Sequence, residues 1–82
     1  MNYNEFTEWL INDRNMNVRS ARDVTSRLKR CLKLTSTNVV DDKIEKMLVE
    51  SPEFEVMTSF VKSQLKRAIT LYMEFLKKCD ER

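Results

Sequence analysis

The chain has 82 residues, 41% hydrophobic and 34% charged, with a formal net charge of +2, which predicts one ordered domain with a modest core over residues 1–82. It contains no histidine and no glycine, which excludes Ser–His and Cys–His nucleophiles and glycine-rich phosphate loops. It also lacks an apolar run of roughly 18 residues and a signal-peptide pattern, so we expect a cytoplasmic protein that is not an enzyme and uses no cofactor, metal, membrane or small-molecule substrate.

The first helical pattern covers about Tyr3 to Asn12, because Phe6, Trp9 and Leu10 recur at the spacing of one helix face. The stretch NDRNMN then breaks the pattern. Its asparagines tolerate the left-handed backbone that a tight turn needs. We therefore expect a turn between the first and second helices.

The second helix is predicted from about Ser20 to Leu34. Ser20 followed three residues later by Asp23 resembles a capping box, with aspartate a weaker partner than glutamate. Several apolar positions follow the helical period and should face the core. These positions are Ala21, Val24, Leu28, Cys31 and Leu32.

A short third helix is predicted from about Val40 to Glu50, with Ile44, Met47 and Leu48 as its apolar stripe. Asp41 and Asp42 suit the positive N-terminal end of such a helix. The sequence SPE, which begins at Ser51, then indicates a new helix start, with serine as the cap and proline at the first position.

The last helix is the longest. Thr58 and Ser59 are both capping residue types, and a fresh start there would separate a short turn over Pro52 to Met57 from the long helix. Its core-facing stripe is Val61, Leu65, Ala68, Tyr72 and Phe75, widened by Ile69, Leu71 and Leu76. Since no pair of strands is readable, the predicted fold class is all-α: a small bundle of four helices, or five if the last one is interrupted.

The aromatic residues sit mostly at core-like positions, which favours packing over base stacking. They are Tyr3, Phe6, Trp9, Phe54, Phe60, Tyr72 and Phe75.

The two cysteines, Cys31 and Cys79, lie in separate helical patterns without CxxC spacing. We expect two reduced, partly buried thiols. A disulfide is the alternative, against which a cytoplasmic location argues.

Charge is strongly segregated along the chain. The segment from Val18 to Leu34 holds six basic residues and one acid, a net charge of +5, and Ser59 to Tyr72 holds no acid. In contrast, Asp41 to Glu55 holds six acids and two lysines, a net charge of −4. Basic residues mixed with hydroxyl residues suit a phosphate backbone. The alternatives are a solvated face, or internal pairing of the acidic segment with one basic helix.

The basic residues fall into two stripes at helical spacing. On the second helix the stripe is Arg22, Ser26, Lys29 and Lys33, flanked by Arg19, Arg27 and Arg30. On the last helix it is Ser59, Lys62, Ser63, Lys66 and Thr70, with Arg67 beside it. The candidate DNA-binding residues are accordingly Arg19, Arg22, Ser26, Lys29, Arg30, Lys33, Ser59, Lys62, Ser63, Lys66 and Arg67.

In order and spacing, four segments resemble the core-binding (SAM-like) N-terminal domain of the phage integrase or tyrosine recombinase family. They are FTEWL, VRSARDVTSRLKRCLKL, DKIEKML and SFVKSQLKRAITLYMEFL. The resemblance implies a small helical bundle that forms half of a clamp on duplex DNA, with the second and last long helices facing the major groove. Carried over to this chain, that role falls on Arg22, Ser26, Lys29, Arg30 and Lys33, and on Ser59, Lys62, Ser63 and Lys66. Among these we expect Arg22, Lys29, Lys62 and Lys66 to contact phosphates, and any base reading to come from Arg22, Arg30 or Ser59.

The family's catalytic domain is absent, and Tyr3 and Tyr72 do not match its tyrosine nucleophile motif. The resemblance therefore implies DNA binding without recombination, either by an excised domain of a larger integrase or by a complete small protein. The rival interpretation is a protein-interaction or regulatory module from a phage or mobile element, with self-association included. It would be indicated by an exposed apolar patch, for which Trp9 and Phe54 are the first residues to check.

Overall fold

The computed structural model describes residues 3–37, residue 40 and residues 43–80, and for residues 79 and 80 it describes the backbone alone. Within these residues the chain is all-helical, without strands, and the predicted all-α bundle is confirmed. Its helices are α1 (Tyr3–Asn12), α2 (Val18–Thr35), α3 (Ile44–Glu50), α4 (Pro52–Glu55) and α5 (Ser59–Asp80). The last predicted helix is split into α4 and α5, so the described residues contain five helices, as an interrupted last helix predicts.

The turn between α1 and α2 depends on two asparagines. Asn15 adopts a left-handed backbone with φ of 56°, as asparagine does more readily than most residues. Asn17 is the N-cap of α2, and its side-chain oxygen accepts a hydrogen bond of 2.7 Å from the backbone N–H of Ser20. The predicted cap at Ser20 is therefore wrong. Asn17 is the cap because its backbone is extended and its side-chain oxygen accepts this hydrogen bond. Ser20 therefore lies in the first turn of the helix.

The end of α2 and the start of α3 both differ from the predicted positions. Ser36 ends α2 in a left-handed conformation, with φ of 54°, and its N–H bonds back to the carbonyls of Leu32 and Lys33. The helix α3 begins at Ile44 rather than Val40. The predicted role of Asp41 and Asp42 at its start lies outside the described residues. Met47, which was placed in the apolar stripe, is 41% exposed.

The interruption before α5 is confirmed. Pro52 begins the short helix α4, which ends at Glu55. The hydroxyl of Thr58 then accepts a hydrogen bond of 3.3 Å from the N–H of Val61, which caps the start of α5. Ser51 precedes Pro52 as predicted, but its side chain makes no capping hydrogen bond.

The core is built where α1, α2 and α5 meet. Phe6 has no exposed surface, and its ring lies 4.9 Å from that of Tyr72 and 5.6 Å from that of Phe75, measured between centroids. Such ring pairs stabilise a core beyond the area they bury. The apolar positions predicted for α2 are all buried, and the main stripe of α5 is buried except for the half-buried Val61. Since α2 and α5 bury one face each, their basic faces are left toward solvent.

Candidate nucleic-acid interface

The basic stripes lie on the surface as their spacing predicts. Ten of the eleven candidate residues are exposed, and the remaining one, Lys62, is half-buried. They do not form one surface, however. Seven of them line three depressions, which differ in the helices that form their walls. The other four, Arg19, Ser59, Lys62 and Lys66, line none of the three.

The first depression, the α2–α5 cleft, is an open space of about 510 Å³ between the two basic helices. Its polar walls are Ser20, Asp23 and Arg27 from α2 and Ser63, Gln64 and Arg67 from α5. The buried Val24 and half-buried Met16 are also among its lining residues, together with the exposed ring of Phe60. Arginines from both basic helices thus line one solvent-open space.

Arg27 flanks the predicted basic stripe of α2 and is not among the candidate DNA-binding residues predicted from the sequence. It lies between the polar and apolar faces of α2 and is half-buried. The signal that could have found it is its position seven residues after Ser20 and four after Asp23. This spacing puts the three side chains on one side of the helix.

The second depression, the α1–α2 groove, is lined by the first three residues of the predicted α2 stripe. Arg22, Ser26 and Lys29 line it together with Tyr3 and Thr7 of α1. The Lys29 Nζ atom lies 4.8 Å from the centroid of the Tyr3 ring, within the range of a cation–π contact. This part of the stripe therefore borders α1 and not α5.

The third depression, the α2–α4 groove, lies at the end of the same stripe, where Arg30 flanks it. Arg30 and Lys33 line it with Glu53 and Val56. Near α4, the Nζ atom of Lys62 lies 5.6 Å from the ring centroid of the buried Phe54. The partial burial of Lys62 follows from this contact, since its aliphatic stem covers apolar surface.

Internal pairing between the acidic segment and the basic helices is absent from the part of the chain that the structure describes. Four of its acids (Glu45, Glu50, Glu53 and Glu55) form no ion pair with a cation of α2 or α5 there. An ion pair joins Arg14 to Glu74 at 3.3 Å, outside the α2–α5 cleft. Asp23 is the one acid that lines the cleft, and it forms no ion pair with any described residue.

Two large apolar side chains are more exposed than any other in the part of the chain that the structure describes. Phe60, which was predicted to pack in the core, is 72% exposed, and Val56 is 86% exposed. Trp9 and Phe54, the residues first suspected of forming an exposed patch, are buried. Phe60 escapes burial because it lies one position before Val61 in the first turn of α5. The angular step of about 100° per residue turns it from the core toward the cleft.

Cys31 is a free thiol with no exposed surface, and its Sγ atom donates a hydrogen bond of 3.5 Å to the carbonyl oxygen of Leu65. Burial raises its pKa to about 12, and the neighbouring charge of Arg30 lowers it only in part. The side chain of Cys79 lies outside the described residues. Cys31 is therefore fully buried, where partial burial was expected, and serves packing between α2 and α5.

No helix in the described ranges is both long enough and apolar enough to cross a membrane. Comparisons with protein-family models, with curated proteins and with solved structures find no match to this chain.

Proposed function

We propose that this chain is a non-catalytic module that binds duplex DNA, with the α2–α5 cleft at the centre of the contact. One observation carries the proposal: arginines from the two basic helices, Arg27 and Arg67, line a common open space. Phosphate neutralisation by such residues releases counterions and drives binding without any catalytic group. The cytoplasmic location predicted from the sequence agrees with this role.

The other candidates lie on the same two helices, although Ser26 and Arg30 line the neighbouring α1–α2 and α2–α4 grooves. Arg19 and Arg30 are exposed on α2, and Lys66 is exposed on α5. Hydroxyl groups of Ser26, Ser59 and Ser63 add neutral phosphate donors on the same helices. The pair of helices is the one that the resemblance to integrase core-binding domains implies, and membership of that family is part of the proposal.

The test is fluorescence anisotropy of a labelled random-sequence duplex, titrated with protein over a series of salt concentrations. We expect micromolar binding that weakens with salt at a slope indicating several phosphate contacts. The double variant Arg27→Gln/Arg67→Gln should lower the affinity at low salt by more than about tenfold and make the slope shallower by roughly two contacts.

The matched control is Lys77→Gln/Lys78→Gln. It removes the same charge from exposed positions near the end of α5, which line a different depression with Trp9 and Arg14. Circular dichroism checks that both variants fold. An equal loss of affinity in the two variants would mean that the affinity depends on net charge and not on the cleft. The absence of any binding at low salt would rule out the proposal.

A protein-interaction module is the second candidate, because Val56 and Phe60 are exposed at 86% and 72%. Val56 and Phe60 line different depressions, and a contact site would have to join them into one exposed apolar patch. Sedimentation equilibrium over a wide concentration range tests self-association. A dimer that the variant Val56→Ser/Phe60→Ser dissociates would favour this function over DNA binding.

A further inference from the structure

Phe60 differs from every other aromatic residue of this chain. The described residues include all seven aromatics, of which five are buried. Tyr3 is half-buried with Lys29 over its ring. Phe60 alone is exposed, at 72%, and its ring makes no aromatic or cation–π contact with any described residue. Both the ring and its surroundings therefore need a separate explanation.

The surroundings of Phe60 are mainly polar. Arg27, Arg67, Ser63 and Gln64 line the same cleft. Arginine and aromatic side chains are both enriched at protein–protein contacts, so a contact between copies is the competing use of these residues. They fit a nucleotide well, because guanidinium and hydroxyl groups donate hydrogen bonds to phosphate oxygens and an aromatic ring stacks on a base of any sequence.

A base in a fully paired duplex cannot stack on the ring of Phe60. Each base in a duplex is already stacked on both sides, and removing one from the stack costs a few kcal/mol in a perfect helix and least at a mismatch or unpaired site. The arginines of the cleft can contact the duplex backbone without help from the ring. The ring adds affinity only when a base is already free.

We infer that the α2–α5 cleft accepts one unstacked nucleotide, with its base on the ring of Phe60 and its phosphate on Arg27 and Arg67. The inference rests on the proposed DNA-binding function and narrows its substrate to DNA that contains an unpaired or bulged nucleotide. Gln64 and Asp23 also line the cleft, and they offer the edge of a base an amide that both donates and accepts and a carboxylate that accepts.

The experiment compares three labelled probes of equal length by anisotropy: a fully paired duplex, the same duplex with a bulge of three nucleotides, and the corresponding single strand. The wild-type protein should bind the bulged duplex about fivefold or more tightly than the paired one, since one stacked base is worth at least that ratio. Phe60→Ala should remove this preference and leave the affinity for the paired duplex within about twofold.

Two further variants sharpen the comparison. Phe60→Trp keeps a stacking ring and should retain the preference. Val56→Ala removes an equally exposed apolar side chain that lines the α2–α4 groove instead, and should change neither affinity. Because Phe60 and Val56 are both exposed, none of these substitutions disturbs the core.

The outcomes separate this inference from the proposed function. Salt-dependent binding of all three probes with equal affinity, or a preference that persists in Phe60→Ala, would overturn the inference and leave DNA binding intact. The absence of binding to any probe would overturn both. If Phe60→Ala instead dissociates a dimer and leaves the DNA affinities unchanged, the ring serves a contact between copies and the inference is wrong.

Discussion

The Sγ atom of Cys31 donates a hydrogen bond of 3.5 Å to the carbonyl oxygen of Leu65, and this contact joins α2 to α5 inside the core. The two residues have almost no exposed surface. The bond fixes two helices whose outer faces line the α2–α5 cleft. A small buried thiol is well suited to such a contact, because it packs like an apolar group and still supplies a weak donor.

The buried thiol predicts a loss of stability at high pH. The pKa of Cys31 is raised from 9.0 to about 12 by burial, so the folded state retains a proton that the unfolded state releases. The contribution is complete below pH 9 and is lost as the pH rises from about 9 toward 12. We expect the free energy of unfolding to fall by about 1 kcal/mol between pH 8 and pH 10 through this group alone.

Urea unfolding at pH 8 and pH 10 measures this dependence in a Cys79→Ala background, in which Cys31 is the sole thiol. Adding Cys31→Ala should lower the stability at pH 8 and make the difference between the two pH values smaller. In the folded single-cysteine protein, the thiol should also resist labelling by a disulfide reagent. Rapid labelling under native conditions would contradict its burial.

The cap of α2 gives a second prediction. Asn17→Ala should cost about 1 kcal/mol of stability, because the backbone N–H of Ser20 loses its acceptor. Asn17→Asp should keep most of the stability of the wild-type protein, since a carboxylate accepts the same hydrogen bond at the positive end of the helix. Ser20→Ala serves as the control and should be close to neutral, because Ser20 lies in the first turn. A larger loss at Ser20 than at Asn17 in chemical denaturation would restore the cap predicted from the sequence.

The left-handed residue at the end of α2 gives a third prediction. Ser36 has φ of 54°, a region that costs an L-residue roughly 1 kcal/mol and glycine almost nothing. Ser36→Gly should therefore raise the free energy of unfolding by about 0.5–1 kcal/mol. The matched control is Ser26→Gly in the exposed middle of α2, which should lower it by about 0.5 kcal/mol. Thermal or urea unfolding of the two variants should shift in opposite directions.

The single acid of the cleft gives a fourth prediction, which depends on the proposed function. Asp23 lines the α2–α5 cleft beside Arg27 and forms no ion pair with any described residue. Its charge repels a phosphate, so Asp23→Asn should raise the affinity for random-sequence duplex about two- to fivefold at low salt, by roughly the energy of one surface charge contact. Asp13→Asn is the control. Asp13 is also exposed but lines the depression beside Trp9 and Arg14. An equal gain in both variants would assign the effect to net charge.

Helix positions and most of the core could be predicted because both depend on local periodicity. The predicted range of α1 is the observed one, Tyr3–Asn12, and the break before α5 was predicted from Thr58 and Ser59. The cap of α2 was misplaced because Asn17 and Ser20 are both capping residue types, and sequence alone does not say which of them has an extended backbone. Similarly, Phe60 was assigned to the core because composition favours burial of aromatics, whereas its angular position on α5 directs it outward.

The candidate site could be predicted only as a set of residues. The sequence by itself determined that α2 and α5 would be amphipathic, with their cations opposite the core, because this follows from a period of 3.6 residues. Only the tertiary structure decided which cations would meet. The packing of α2 between α1 and α5 sends Arg22 and Lys29 toward α1 and brings Arg27 and Arg67 to one cleft, because the angle between packed helices depends on side chains far apart in the chain.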